Sequence, residues 1–139
     1  MEHIAVLKPK WKLAEKIISG KKTIESRWYM TRRAPWGRIR KGETVYFKEG
    51  KYVSVKATVS DVLQTEVDNR KIKELLEKYS KKLGIADIQS IFSRRKNKKY
   101  CILVFLADAR RIEPFQINKR GFGNMSAWIC IDDVGKIKL

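Results

Sequence analysis

Gly20-Lys21-Lys22-Thr23-Ile24-Glu25-Ser26-Arg27 is the stretch on which the reading of this chain turns. The alternation of Lys22, Ile24 and Ser26 with Thr23, Glu25 and Arg27 describes an extended segment. On a regular strand, period two puts Glu25 and Arg27 on one face and Lys22 on the other. A turn or bulge just after Gly20 would instead bring Lys22 to the same side. The result would be a pocket in which a carboxylate bonds a guanidinium beside an ammonium. Such a pocket suits a phosphate or the edge of a base.

Upstream, His3 to Leu7 reads as a first strand ended by Pro9. Lys10 to Ser19 carries Leu13, Ala14, Ile17 and Ile18 at helical spacing, and Gly20 takes the C-cap position. Trp11 reads as a core anchor in the first turn of that helix, with a ligand-stacking ring as the alternative. Downstream, Tyr29 to Gly42 is a loop by its proline and glycines, and basic and aromatic side chains interleave in it: Arg32, Arg33, Trp36 and Arg38. Cations there can track a phosphate backbone while a ring stacks on an unpaired base. Trp36 could equally fold back over the core.

Glu43–Phe47 and Tyr52–Val59 form a predicted hairpin across Lys48–Lys51. Asp68 is positioned to cap a helix over 69–83, whose Ile72, Leu75, Leu76, Tyr79 and Leu83 share one face and which Gly84 stops. A shorter helix follows over 86–92. Arg94 to Lys99 then reads as the basic tip of a hairpin, or as a second phosphate contact. Tyr100 to Ala107 is apolar throughout, as in a strand buried on both faces, and enters a loop at Pro114. Ala127–Ile131 and Val134–Ile137 look like closing strands, with Trp128 in the core. Between them, Asn118 to Asn124 lacks the strand-to-helix setting of a phosphate-binding loop, which argues against nucleoside triphosphates. It is instead a turn that could carry Lys119, Arg120 and Phe122 toward the Gly20–Arg27 stretch.

The charge balance narrows the partner. The 139 residues hold 32 Lys and Arg against 15 Asp and Glu, a net charge of +17. A thermophile-like surface would balance its lysines with glutamates, and this one does not. Twelve cations and two glutamates between Lys8 and Lys41 give that segment +10, more than half of the excess. A polyanion is the expected partner, and no basic amphipathic helix with uncommitted bulky apolar residues favours a membrane.

Gly20, Lys22, Glu25 and Arg27 spell G-x-K-x-x-E-x-R, and with the helix before them they resemble the signature of the ASCH domain, a relative of the PUA RNA-binding barrels. The resemblance is best over residues 3 to 60. It implies an α+β fold, a PUA-like, mostly antiparallel β-barrel with two or three flanking helices, as a single domain over 1–139. It also implies a nucleic-acid cleft near the motif. The expected site is Lys22, Glu25, Arg27, Arg32, Arg33, Trp36, Arg38, Lys119 and Arg120. Lys22 and Arg27 would hold phosphate or base edges, Glu25 would orient Arg27, and the later arginines would follow the backbone. Single-stranded or structured RNA is the expected ligand, because no recognition helix suits the major groove of duplex DNA.

Catalytic signals are sparse, and the catalytic residues are left unknown. His3 is the single histidine and reads as packed, Cys101 and Cys130 as reduced thiols, and no metal-ligand spacing or serine nucleophile motif is present. No cofactor and no metal are expected. Some ASCH-like proteins are ribonucleases, and one branch hydrolyses N4-acetylcytidine with a Lys and a Thr nucleophile. Here Glu25 stands at the nucleophile's position, and Thr23 lies two residues earlier, roughly 6.6 Å along a strand. A metal-independent RNA hydrolase is therefore the alternative to a binding module. The start of the chain has no basic region ahead of a long apolar stretch, so a cytoplasmic protein is expected; a monomer is expected as well.

Overall fold

A computed structural model describes residues 1–123 and 126–139. The strands are β1 Glu2–Leu7, β2 Ile24–Tyr29, β3 Thr44–Glu49, β4 Tyr52–Glu66, β5 Tyr100–Phe115 and β6 Trp128–Ile131. The helices are α1 Leu13–Ile18, α2 Asn69–Leu83 and α3 Ile88–Arg95. The six strands form one sheet in the order β2-β5-β4-β3-β1-β6. Every neighbouring pair is antiparallel except β1 with β3. Long β4 and β5 shift register between Val53 and Val55, Lys56 and Thr58, and Val59 and Asp61. Such bulges bend strands, and here the sheet curls into a half-barrel. The α+β, mostly antiparallel class expected from the sequence is the class observed.

The core lies on both sides of β5. Ile102 and Val104 face the inside of the curl with Phe47, Val55 and Ile17, while Cys101 and Leu103 face α2 with Ile24, Trp28, Ile72 and Leu76. That division explains why β5 reads as an unbroken apolar run. A third cluster, Ile4, Val53, Ile117, Ile129 and Val134, closes the other end. α2 is placed as its pattern predicts: the Asp68 carboxylate accepts from Lys71 N at 2.8 Å, and Gly84 ends the helix at φ +73°.

Several expectations are corrected. Lys12 adopts φ +51° and splits the predicted helix into a 3-10 turn, Pro9–Trp11, and the six-residue α1. Trp11 consequently leaves the helix face and joins none of the three core clusters. Val134–Lys136 is a 3-10 turn rather than a strand, because the Asp133 carboxylate accepts from Gly135 N at 2.8 Å and curls the chain. Arg94 and Arg95 are not a hairpin tip; they finish α3, and only Lys96–Lys99 link it to β5. The strand at Tyr52 runs on to Glu66, and β5 continues past Pro114 to Phe115, because the two pair along most of their length. Of the predicted turn over 118–124, Asn124 lies outside the described residues.

Candidate functional site

Gly20, at φ +79°, turns the chain out of α1, and Lys22 N then bonds Lys16 O at 2.9 Å before β2 begins. Lys22 is thus off the strand, as a turn after Gly20 requires. Glu25 and Arg27 alternate with Ile24 and Trp28, so they point away from the α2-facing core. The Glu25 carboxylate lies between two cations: Lys22 Nζ is 3.6 Å from Oε1, and Arg27 is 3.7 Å from Oε2. Lys22 and Glu25 are 5% and 4% exposed.

Lys22 is held from the other side by the end of α2. Its ammonium donates to Leu83 O at 3.2 Å, where the last carbonyls of a helix carry partial negative charge. Gly84 is needed there twice over: its φ is +73°, and a Cβ would come within 3.3 Å of Lys22 Cβ. Burial lowers the Lys22 pKa below the ordinary lysine value despite the attraction of Glu25, and Arg27 adds to the lowering.

Arg27 has a second task. Its guanidinium donates to Ala127 O and to Val6 O, each at 3.2 Å, and stands 5.2 Å from the Trp128 ring centroid. Two of its nitrogens are therefore committed to backbone carbonyls at the far end of the curled sheet.

These groups line a cavity of about 780 Å³, within the size range of small-ligand sites. Trp11, Lys16, Tyr29, Arg94, Arg95 and Lys119 are also on its walls. The Trp11 ring lies under two cations, Lys8 at 4.7 Å and Arg94 at 5.0 Å. The Arg95 guanidinium has its pKa lowered by burial, then by the neighbouring Arg94 and Arg27. Among the described residues, no three His, Cys, Asp or Glu side chains gather to hold a metal, and no helix is long and apolar enough to cross a membrane.

Of the residues singled out from the sequence, the cavity brings together Lys22, Glu25, Arg27 and Lys119. Lys119 also donates to Ser126 O at 3.2 Å. Arg33 stands 5.5 Å from the centroid of Tyr29, whose ring lines the cavity, so it lies at the margin. Arg32 sits over Trp36 and Tyr100, and Trp36 packs edge-on against Tyr100 at 5.1 Å, half-buried against the core. Arg38 and Arg120 are exposed and do not line the cavity. Thr23 is also absent from its walls.

From the sequence, Trp11 reads only as an alternative stacking ring and Arg95 only as part of the basic run Arg94 to Lys99, and neither is placed beside the Gly20–Arg27 stretch. The signal for Arg95 is in the sequence: with Ile88, Ile91 and Phe92 it completes an i, i+3, i+4, i+7 face, so it belongs on the inward side of α3. Trp11 carries no such signal, because the break at Lys12 follows no strong propensity rule.

By sequence, no family model and no curated protein matches the chain. By structure it superposes on the ASCH protein from Zymomonas mobilis with a TM-score of 0.68 at 20% identity, over 94% of this chain and 87% of that one. A single-residue variant of that protein gives a TM-score of 0.71 at 19% identity, over 97% and 93%. A hypothetical protein gives 0.54 at 23% identity, over 81% of this chain and all of its own length, 100%. At these identities the likeness is one of fold, and the chain has the PUA-like α+β fold of the ASCH proteins.

Proposed function

We propose that this chain binds single-stranded RNA, with one unpaired nucleotide entering the cavity at Lys22. The observation that carries the reading is a buried carboxylate, Glu25, set between Lys22 and Arg27 in a cavity that Lys8, Lys16, Arg94, Arg95 and Lys119 also line. A phosphate would be repelled from that carboxylate, whereas a neutral base with a hydrogen-bond donor would not. The phosphates belong at the rim, with Arg94, Lys8, Lys16 and Lys119, and Arg33 and Arg32 continue the path outward. Trp11 and Tyr29 supply the aromatic surfaces that single-strand readers use. The net charge of +17 supplies the long-range attraction. The test is affinity for a short single-stranded RNA against salt. With several phosphates neutralised the affinity falls steeply as salt rises, and a flat dependence would refute the reading.

The buried Lys22 favours a second reading, metal-independent RNA cleavage. An ammonium with a lowered pKa beside a carboxylate is suited to moving a proton, and the guanidiniums could stabilise a phosphorane. Deacetylation of N4-acetylcytidine fits less well, since Thr23 does not line the cavity. Incubation with labelled RNA and with N4-acetylcytidine, with and without chelator, decides: turnover that survives chelator and disappears in Lys22→Ala would make this an enzyme.

A further inference from the structure

Among the described residues, three buried side-chain polar atoms lack a hydrogen-bond partner: Glu25 Oε2, Arg27 Nε and Arg95 Nε. All three residues line the same cavity. Clustering of this kind is unusual, since buried polar groups are nearly always satisfied by protein or by a bound group. The free set is one acceptor and two donors.

Their order is informative. Lys22 approaches one oxygen of Glu25 and Arg27 the other, with gaps of 3.6 and 3.7 Å. Both gaps are too long for direct hydrogen bonds, so neither cation satisfies the carboxylate beside it. Glu25 Oε1 already accepts from Ser26 N at 3.0 Å, which leaves Oε2 as the buried, unpaired acceptor. The cluster therefore has a donor on each side of an acceptor, with the carboxylate in the middle. A ligand edge that satisfies it must read acceptor–donor–acceptor. Among the pairing edges of the RNA bases, cytosine reads donor–acceptor–acceptor, guanine acceptor–donor–donor, and adenine donor–acceptor. Uracil reads acceptor–donor–acceptor, through O4, N3–H and O2.

The geometry points to selective capture of an unpaired uracil, with N3–H donated to Glu25 Oε2 and the flanking carbonyl oxygens accepting from Lys22 and from Arg27 or Arg95. This specificity rests on the RNA-binding reading and goes beyond it, because rim contacts to phosphate carry no sequence information. Cytosine or adenine would leave the buried carboxylate facing a ring-nitrogen acceptor, and guanine would leave a cation facing an amino donor, which penalises each more than the loss of one bond.

The test changes the ligand and leaves the protein native. Oligouridylate, oligocytidylate and oligoadenylate of equal length compete for the site with labelled RNA, alongside an oligouridylate methylated at N3. Uridylate is expected to bind at least about tenfold tighter than the other two, and N3-methylation to abolish that advantage. Equal affinity for all oligomers, or for methylated and unmethylated uridylate, would overturn the uracil assignment while leaving RNA binding in place. Failure of every oligomer to bind would overturn both.

Discussion

The guanidinium of Arg27 donates to the carbonyl of Ala127 at 3.2 Å, although Arg27 is on β2 and Ala127 adjoins β6, the two end strands of the sheet. Its second terminal nitrogen reaches Val6 O on β1. A single side chain thus bridges the open seam of the half-barrel, which no strand pairing closes among the described residues. In an exposed ion pair Arg27 would contribute about 0–1 kcal/mol. Here it makes charge-assisted bonds to backbone in a site that excludes most solvent.

Arg27→Ala is therefore expected to lower stability by about 2–4 kcal/mol in denaturant unfolding. Arg27→Lys should recover little of it, since an ammonium cannot fork to two carbonyls. A variant as stable as the parent would remove Arg27 from the seam.

The Lys22–Glu25–Arg27 cluster makes a prediction of opposite sign for single and paired changes. Glu25→Ala leaves two buried cations facing each other and should cost about 3–5 kcal/mol. Adding Lys22→Met, which removes one of those cations at similar volume, should return part of that loss. Additive losses in a double-mutant cycle would show that the carboxylate and ammonium are not coupled.

His3 gives the fold a pH dependence. Trp128 Nε1 donates to His3 Nδ1 at 3.0 Å, and His3 Nε2 lies 2.9 Å from Glu43 Oε1, an arrangement that fits the neutral ring protonated on Nε2. Burial lowers the pKa from 6.5, against the pull of Glu43 and with lesser help from the terminal amine and Arg38. The unfolded chain then takes up the proton first. Stability from this group is full above the unfolded value and is lost as pH falls below it through the lowered folded value. Thermal midpoints measured from about pH 7 to 5 should fall more in the parent than in His3→Gln. Parallel curves would contradict the assignment.

Much of this was legible in the sequence, and the gaps have physical causes. The i, i+3, i+4 pattern from Ile72 to Leu83 lies between Asp68 and Gly84, so local rules and tertiary packing agree there. The alternation at Ile24–Arg27 gave the shared face of Glu25 and Arg27 for the same reason. What the sequence withheld is long-range: no local rule says that the end of α2 meets Lys22, or that Arg27 reaches Val6 and Ala127. Arg94 and Arg95 misled because a run of cations looks alike in a solvated turn and at the end of a helix. Val134–Ile137 misled because four apolar-rich residues fit a strand or a single turn.

The basic segments should separate by salt dependence. Arg94 and Lys8 line the cavity, Arg33 stands over Tyr29 at its margin, and Arg32 lies beyond it over Trp36 and Tyr100. Neutralising Arg32 with Arg33, or Arg94 with Lys8, should lower the slope of log affinity against log salt by on the order of 1.4, about 0.7 per phosphate on a single strand. Neutralising Arg38 and Arg120 should change it less. The same loss from all three pairs would mean that charge acts without a defined path.

If RNA enters the cavity at Lys22 as proposed, the four tryptophans report on it. Trp11 and Trp28 line that cavity, whereas Trp36 packs on Tyr100 and Trp128 bonds His3. An NMR titration with single-stranded RNA, following the indole N–H signals, should move Trp11 first and furthest. Trp11→Ala should then weaken binding by roughly 1–3 kcal/mol. An unmoved Trp11 signal, with shifts confined to Trp36 at saturating RNA, would place the ligand outside the cavity and contradict the account.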